Sequence, residues 1–335
     1  MGLTIKTIAK MANVSCTTVS RVLNNKSDVK EETRELILGL IEKYHFQPNA
    51  FARGIQSNKS NCIGLIIPRE LDYILTNSFY AEIIRGILKE LNESGYYLLF
   101  CNTEKMDDIV NIYKQRRVDG FIMIRLGIYD KDIISTLKAI EAPFTATTTV
   151  QGEEGMLFVD IDNYGSACLA VEHLVSLGHR NIGMIAASNS LANSKERLKA
   201  FKDTLTRHQL IYEERFATED DTSMKGGYDA MKRILSYVDG PTAVFVGGDI
   251  MALGAMKAIR EAGKKIPDDI SIIGFDGIPE SEYTDPPLTT IRQPIFGKGQ
   301  MAATTLINML EGKEDVQSVV MDVQLVVRGS TTKLK

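Results

Sequence analysis

Along the first 48 residues, apolar positions recur at helical spacing. They are Ile5, Ile8, Ala9 and Ala12 in "IKTIAKMA", then Val19, Val22 and Leu23, then Leu36, Ile37, Leu40 and Ile41 in "EETRELILGLIEKY". Three short helices are predicted. Thr4 and Ser15 stand directly before the first two runs, where a hydroxyl accepts from a free N–H of the opening turn. Lys30 precedes the third run and is a poor cap, so Asp28 or the acidic first turn, Glu31 and Glu32, has to compensate. The stretch "NVS" separates the first two helices by a three- to four-residue turn, the spacing of a helix-turn-helix.

From Asn61 onward the rhythm changes to strand-like runs alternating with amphipathic helices. "CIGLIIP", "YYLLFC", "VDGFIMI", "PFTATTT" and "LFVDI" form a first series with helices between them. A second series runs from "GSACLAVEHLVSLG" through "NIGMIAA", "RLKAFKDTLTRH", "TAVFVGG" and "IMALGAMKAIREAG" to "ISIIGFD". Such alternation predicts parallel sheets covered by helices on both faces. Two series in tandem imply two lobes with a cleft between them, and "LTTIRQP" through "VVRGST" is expected to cross back and complete both.

Composition alters this picture little. Hydrophobic residues make up 44% and charged residues 24%, ordinary values for a globular chain. No apolar run approaches the roughly 18–20 residues that span a bilayer. "MGLTIKTIAK" lacks the apolar block of a secretory signal, so a cytoplasmic location is expected. Cys16, Cys62, Cys101 and Cys168 have no metal-ligand spacing, which argues against a zinc site and a disulfide framework. Cys62 and Cys101 are read as buried thiols. There is no HExxH, GxSxG, Walker loop or strand-following GxGxxG, so neither enzymatic activity, cofactor nor metal is expected.

Charge matters more. Residues 1–60 carry nine Lys and Arg against five Asp and Glu, an excess of four, in a chain of net charge −4. A basic head on an acidic body points to a polyanionic partner for the head. The face of the second helix opposite Val19 and Val22 carries Cys16, Thr17, Thr18, Ser20 and Arg21. Hydroxyls suit phosphates or base edges, and an arginine can hold guanine with two hydrogen bonds. The Cys16 thiol offers apolar contact, as to a thymine methyl, and at best a weak hydrogen bond.

V-S-x-x-T-V-S-R-V-L-N and P-N-A-x-A-R, in "TIKTIAKMANVSCTTVSRVLNN" and "FQPNAFARGIQSNKSNCIGLIIP", resemble the lactose-repressor/galactose-repressor family of bacterial transcription factors. The resemblance extends over essentially the full chain. It implies a multidomain α+β protein: a helix-turn-helix DNA-binding head over 1–48, a hinge helix and linker over 49–60, and a two-lobed effector and dimerisation domain over 61–335. That domain is expected to be like a periplasmic binding protein, with one lobe over about 61–160 and 292–322 and the other over about 161–291 and 323–335. Base-reading positions fall on Cys16, Thr17 and Arg21, and phosphate-contacting ones on Ser15, Thr18, Ser20 and Asn24. Asn49, Ala52 and Ile55 fall in the hinge segment, where Ile55 replaces the usual leucine wedge of the minor groove and Gly54 softens the helix.

Ligands of open α/β sheets bind at the carboxyl ends of strands. Asp276 ends "ISIIGFD", Asp249 ends "TAVFVGGD", and Arg197 opens "RLKAFKDTL". Asp249 is expected to cap the helix that follows it. The resemblance places Arg197 and Asp276 among effector contacts, together with Gly248 and Gln293, and a first ligand loop at Asn77, Phe79 and Tyr80. Thr148 stands where many sugar-responsive members have an aspartate. The expected partners are a pseudo-palindromic double-stranded operator, a second copy of the chain and a small effector, with a sugar preferred. Alternatives are a phosphorylated protein corepressor, or a purine or other non-sugar effector. A solute-binding receptor would fit the lobes but not the head. "RGSTTKLK" has no counterpart of a tetramerising tail, which favours a dimer.

Overall fold

The computed structural model describes residues 4–23, 26–44, 46, 59–67, 74, 77–101, 106–124, 131–149, 153, 155–188 and 191–334. The chain divides into two compact units, Met1–Ser60 and Asn61–Lys335.

The first unit holds α1 (Ile5–Met11), α2 (Cys16–Leu23) and α3 (Glu31–Lys43). The two hydroxyl caps act as expected. Thr4 Oγ1 accepts from the Thr7 N–H at 3.4 Å and Ser15 Oγ from the Thr18 N–H at 3.0 Å. Asn13 turns the chain between α1 and α2 with a φ of 52°, the left-handed region that asparagine tolerates. Ile8, Ala9, Val19, Val22, Ile37 and Phe46 form the core, with Leu40 and Ile41 packed against it. Leu36, expected in that stripe, is 51% exposed. It lies about 100° around the helix from Ile37, outside the narrow face that α3 presents to two short partners.

The second unit opens with β1 (Cys62–Ile66), α4 (Ser78–Glu93), β2 (Tyr97–Cys101), α5 (Met106–Lys114), β3 (Gly120–Met123), α6 (Lys131–Ala139), β4 (Phe144–Ala146) and β5 (Leu157–Ile161). Next come α7 (Asn163–Ser176), β6 (Ile182–Ala187), α8 (Ala192–Arg207), β7 (Ala217–Asp220), α9 (Met224–Leu235), β8 (Ala243–Val246), α10 (Asp249–Glu261) and β9 (Ser271–Asp276). The chain finishes with β10 (Thr289–Arg292), α11 (Ile295–Leu310), β11 (Val319–Met321) and β12 (Gln324–Val326).

These strands make two six-stranded sheets of matching order, β11-β5-β4-β3-β1-β2 and β12-β10-β9-β8-β6-β7. The chain passes between the sheets after β5, after β10 and between β11 and β12. In each sheet the order reverses once, between β1 and β3 and between β6 and β8, and such reversals open a crevice at the carboxyl ends. All neighbours run parallel except β12, which is antiparallel to β10. The reason is connectivity: β11 leaves its sheet at the carboxyl edge, so β12 enters the other sheet at that edge and runs away from it.

Two elements lack a clear sequence signal. β7 is a half-exposed edge strand of sequence "ATED". α9, "MKGGYDAMKRIL", carries two glycines that weaken a helical reading. A Cβ on Gly226 would meet the Asp221 carbonyl oxygen at 2.5 Å, whereas Gly227 serves helix packing. A Cβ on Gly227 would meet the Met251 carbonyl oxygen at 2.0 Å, and one on Gly254 the Met224 carbonyl oxygen at 1.8 Å. α9 and α10 therefore touch backbone to backbone. Gly254→Ala forces them apart and is expected to destabilise the fold by about 1–3 kcal/mol, seen as a lower urea midpoint; an unchanged midpoint would contradict the close approach.

Candidate DNA-reading helix and effector cleft

On α2, Cys16, Thr17 and Arg21 are exposed, as is the capping Ser15. Thr18 is half-buried, with its hydroxyl 2.9 Å from Ser15 Oγ. Ser20 departs from expectation: it is 8% exposed and turned toward the core side of the helix, next to Val19. Asn24, Asn49, Ala52 and Ile55 lie outside the described residues. The Arg21 guanidinium is paired with Asp28, its Nε donating to Oδ1 at 3.1 Å and its Nη2 to Oδ2.

In the second unit the carboxyl ends of both sheets meet at a polar pocket. One wall comes from the first sheet: Phe79 of α4, Thr147 and Thr148 after β4, and Lys298 of α11. The other comes from the second: Asn193 and Arg197 of α8, Gly247 after β8, Asp276 ending β9 and Gln293 after β10. Strand ends supply these groups because the last strand residue is where the chain stops pairing laterally and its side chain can turn into the crevice.

Arg197 is 6% exposed. Its Nε and Nη2 donate to Asn163 Oδ1 at 3.2 and 2.9 Å, and Nη1 donates to the Gly247 carbonyl at 2.7 Å. The guanidinium lies 3.5 Å from the centroid of the Phe275 ring and 3.9 Å from Asp276 Oδ1. Asp276 adopts a φ of 115°, a costly conformation for a residue with a side chain. Gln293 holds it there, its N–H donating to the Asp276 carbonyl at 3.1 Å and its Nε2 to Oδ1 at 2.7 Å. Gln293 Oε1 is buried and has no hydrogen-bond partner among the described residues.

A second charged pair stands opposite. Lys298 Nζ donates to Asp160 Oδ1 at 2.7 Å, and both residues are almost fully buried. Asp160 also accepts from the Thr148 hydroxyl at 3.1 Å and from the N–H groups of Thr149 and Ile161 at 3.0 and 2.8 Å. Asn163 Nδ2 reaches Asp160 Oδ2 at 3.4 Å, so the polar chain runs from Lys298 through Asp160 and Asn163 to Arg197, Asp276 and Gln293. Charges this deep persist because each is paired and hydrogen-bonded.

The structure moves three expected residues away from the pocket. Tyr80 is fully buried in the core, because it sits one position beyond Phe79 and points about 100° around α4. Asn77 is the N-cap of α4, its side chain accepting from the Phe79 N–H at 3.0 Å. Gly248 is the N-cap of α10, and its neighbour Gly247 lines the pocket instead. Asp249 is consequently the first helical residue rather than the cap. Thr148 does line the pocket, while the carboxylate sits behind it on Asp160. Asp160 had a visible signal, a carboxylate near the end of "LFVDI" like that ending "ISIIGFD". Lys298 had none, since a lysine in a helix is ordinarily solvated.

Asp249 is buried, and accepts from the N–H groups of Gly277 and Ile278 at 2.7 and 3.0 Å and from the Thr290 hydroxyl at 2.7 Å. Burial, aided by the charge of Asp276, pushes its pKa up to about 8. The unfolded chain releases this proton near pH 4 and the folded one near pH 8, so stability falls as pH rises between those values. Asp249→Asn keeps one oxygen to accept from the Gly277 and Ile278 N–H groups, turns the other position into a donor that the Thr290 hydroxyl can accept from, and removes the titration. The variant is expected to lose much of that decline in melting temperature between pH 4 and pH 8; identical profiles would contradict a protonated Asp249.

Residues 4–49 match the family model described as bacterial regulatory proteins, lacI family, and residues 171–331 match the periplasmic binding protein-like domain. The chain is 33% identical over 342 residues to the HTH-type transcriptional regulator DegA of Bacillus subtilis, covering 100% of this chain and 99% of that protein. This chain belongs to the lacI family. It is also 34% identical over 334 residues to the HTH-type transcriptional repressor PurR of Klebsiella pneumoniae, covering 98% of this chain and 96% of that one. A lac repressor dimer, solved bound to operator and the anti-inducer ONPF, superimposes with a TM-score of 0.87 at 29% identity, over 99% of this chain and 100% of that one. A lacI-family chain of this kind is a DNA-binding transcriptional regulator and not an enzyme. Among the described residues no helix is long and apolar enough to cross a membrane.

Proposed function

We propose that this regulator is a cytoplasmic, homodimeric repressor of a carbohydrate-utilisation operon, controlled by a sugar bound between its two sheets. The observation carrying the sugar reading is the unused hydrogen-bonding capacity of the pocket. Among the described residues Gln293 Oε1 is an acceptor without a donor, and the Lys298 ammonium, with three N–H groups, meets one acceptor. A polyol satisfies both kinds of group, because every hydroxyl donates and accepts. A purine ring calls for apolar cover on both faces, and among the described residues the pocket wall has one aromatic side chain, Phe79. Thr147, Thr148, Asn193, Arg197 and Asp276 complete the polar wall; Asn77, Tyr80 and Gly248 support it from behind.

On the DNA side, Cys16, Thr17 and Arg21 are assigned to base edges and Ser15 and Thr18 to phosphates, with Asn24, Asn49, Ala52 and Ile55 continuing the contact. In this reading residues 1–48 are the head, 49–60 the hinge and 61–335 the effector body. A two-fold dimer would read a pseudo-palindromic operator through two copies of α2.

The test is a thermal-shift panel of neutral sugars, sugar phosphates and nucleobases on the full chain. A ligand at about 100 times its Kd stabilises the fold by about 2.7 kcal/mol. A shift from a neutral sugar that also changes operator affinity supports the reading. A shift from nucleobases alone overturns the sugar effector, and the absence of any operator preference overturns the DNA assignment.

A further inference from the structure

A guanidinium has two edges that can each make a paired hydrogen bond: the side edge, formed by Nε and Nη2, and the end edge, formed by Nη1 and Nη2. In the head, Asp28 occupies the side edge of Arg21 through both of its carboxylate oxygens. Among the described residues no partner is bonded to Nη1. Among the described residues the end edge, whose two in-plane N–H groups can meet guanine O6 and N7, is therefore left open, and the Asp28 pairing orients its plane.

Asp28 is itself held in place. The Lys26 N–H donates to the Arg21 carbonyl at 2.9 Å, closing the chain after α2, and Arg34 of α3 donates through Nη2 to the Lys26 carbonyl. Val29, one residue beyond Asp28, packs against the core of the head. The turn carrying the carboxylate is thus tied to both α2 and α3. The side chains of Arg21 and Asp28 are about half exposed, at 51% and 48%. An exposed pair of this kind contributes little to stability, so its geometric consequence outweighs its energetic one.

We propose that Asp28 is a positioning residue for DNA reading: it holds the Arg21 guanidinium with its end edge presented for a guanine in the major groove. The inference rests on the reading of Arg21 as a base contact. It predicts an unusual pair of signs. Asp28 brings a negative charge to a surface that meets phosphates, so removing it strengthens binding to any DNA. Removing it also frees Arg21 to sample many rotamers, so preference for the operator falls.

The experiment uses the full chain and two duplexes, an operator selected from a randomised pool by the parent protein and a random sequence of equal length. Affinities are measured for the parent, Asp28→Asn, Asp28→Ala, Arg21→Ala and the Arg21→Ala/Asp28→Ala double variant, with circular dichroism confirming that each head is folded. Asp28→Ala is expected to raise affinity for random DNA and to lower the operator-to-random ratio about 5- to 10-fold, with Asp28→Asn between it and the parent. In the Arg21→Ala background the same change is expected to leave the ratio unmoved. A ratio that is unchanged or higher in Asp28→Ala overturns the inference, as does an equal fall in the Arg21→Ala background, which would mean a role independent of Arg21. If Arg21→Ala alone leaves discrimination intact, the base-reading assignment fails first and the positioning role with it.

Discussion

Replacing Arg21 by alanine is expected to lower operator affinity relative to random DNA by about 5- to 150-fold, the worth of one paired arginine–guanine contact at about 1–3 kcal/mol. Binding to random DNA is expected to weaken only as far as the loss of one cation requires, with a salt dependence shallower by about one charge. Arg21 is half exposed and contributes nothing to the core of Ile8, Val19, Val22 and Ile37, so the head should fold as before. Competition titrations against random duplex at two salt concentrations separate the two terms. Equal discrimination by variant and parent would remove Arg21 from the reading surface and leave Thr17 and Cys16 to specify the site.

The second large effect is expected at Arg197. Alanine there should abolish the effect of the bound ligand on operator affinity, because the guanidinium forms part of the pocket wall and also connects α7, β8 and β9. The truncation strands several groups at once. Asn163 Oδ1 and the Gly247 carbonyl lose their donors, and Asp276 loses the cation beside it. Breaking a buried charged network of this kind costs about 3–5 kcal/mol, so a marked fall in melting temperature is expected with the loss of response. Arg197→Lys separates the two consequences. It keeps a positive charge near Asp276, but one ammonium cannot span Asn163 and Gly247, so more stability should survive while response is still lost. Operator titrations with and without ligand, made well below each variant's melting point, measure this. A full ligand response in Arg197→Ala would exclude the pocket as the effector site.

The head was the most legible part of the chain. Its helices are short, each begins after an identifiable cap or an acidic turn, and Thr4 and Ser15 cap as the sequence indicates. The alternation of strands and helices likewise indicated the two-sheet body, since a strand buried on both faces is continuously apolar, as "CIGLI" and "AVFV" are. Legibility failed where a local signal was weak for a tertiary reason. α9 contains Gly227 because another helix presses on its backbone, and Gly226 because Asp221 just before the helix does, so the residues that permit the packing are those that obscure the helix. In the cleft, Arg197, Asp276 and Gln293 were identifiable, two of them at strand ends. Asp160 carried a signal of the same kind, a carboxylate near a strand end, but Lys298 carried none, because a buried lysine is exceptional and its partner lies 138 residues away.

The sequence by itself determined what depends on neighbours along the chain: the caps, the helical and strand periods, the charge difference between head and body, and the family motifs. These features reside in single elements and their immediate backbone. Tertiary structure alone decided which side of an element faces a partner. It turned Ser20 inward while leaving Cys16 exposed, put Tyr80 in the core and Phe79 at the pocket, and chose Gly247 over Gly248 for the wall. It also reversed β12, paired Lys298 with Asp160 and set Asp28 against Arg21. Residues adjacent in sequence differ by about 100° around a helix, so a small change in how helices and sheets approach exchanges one neighbour for the next; that approach is fixed only when the whole core packs.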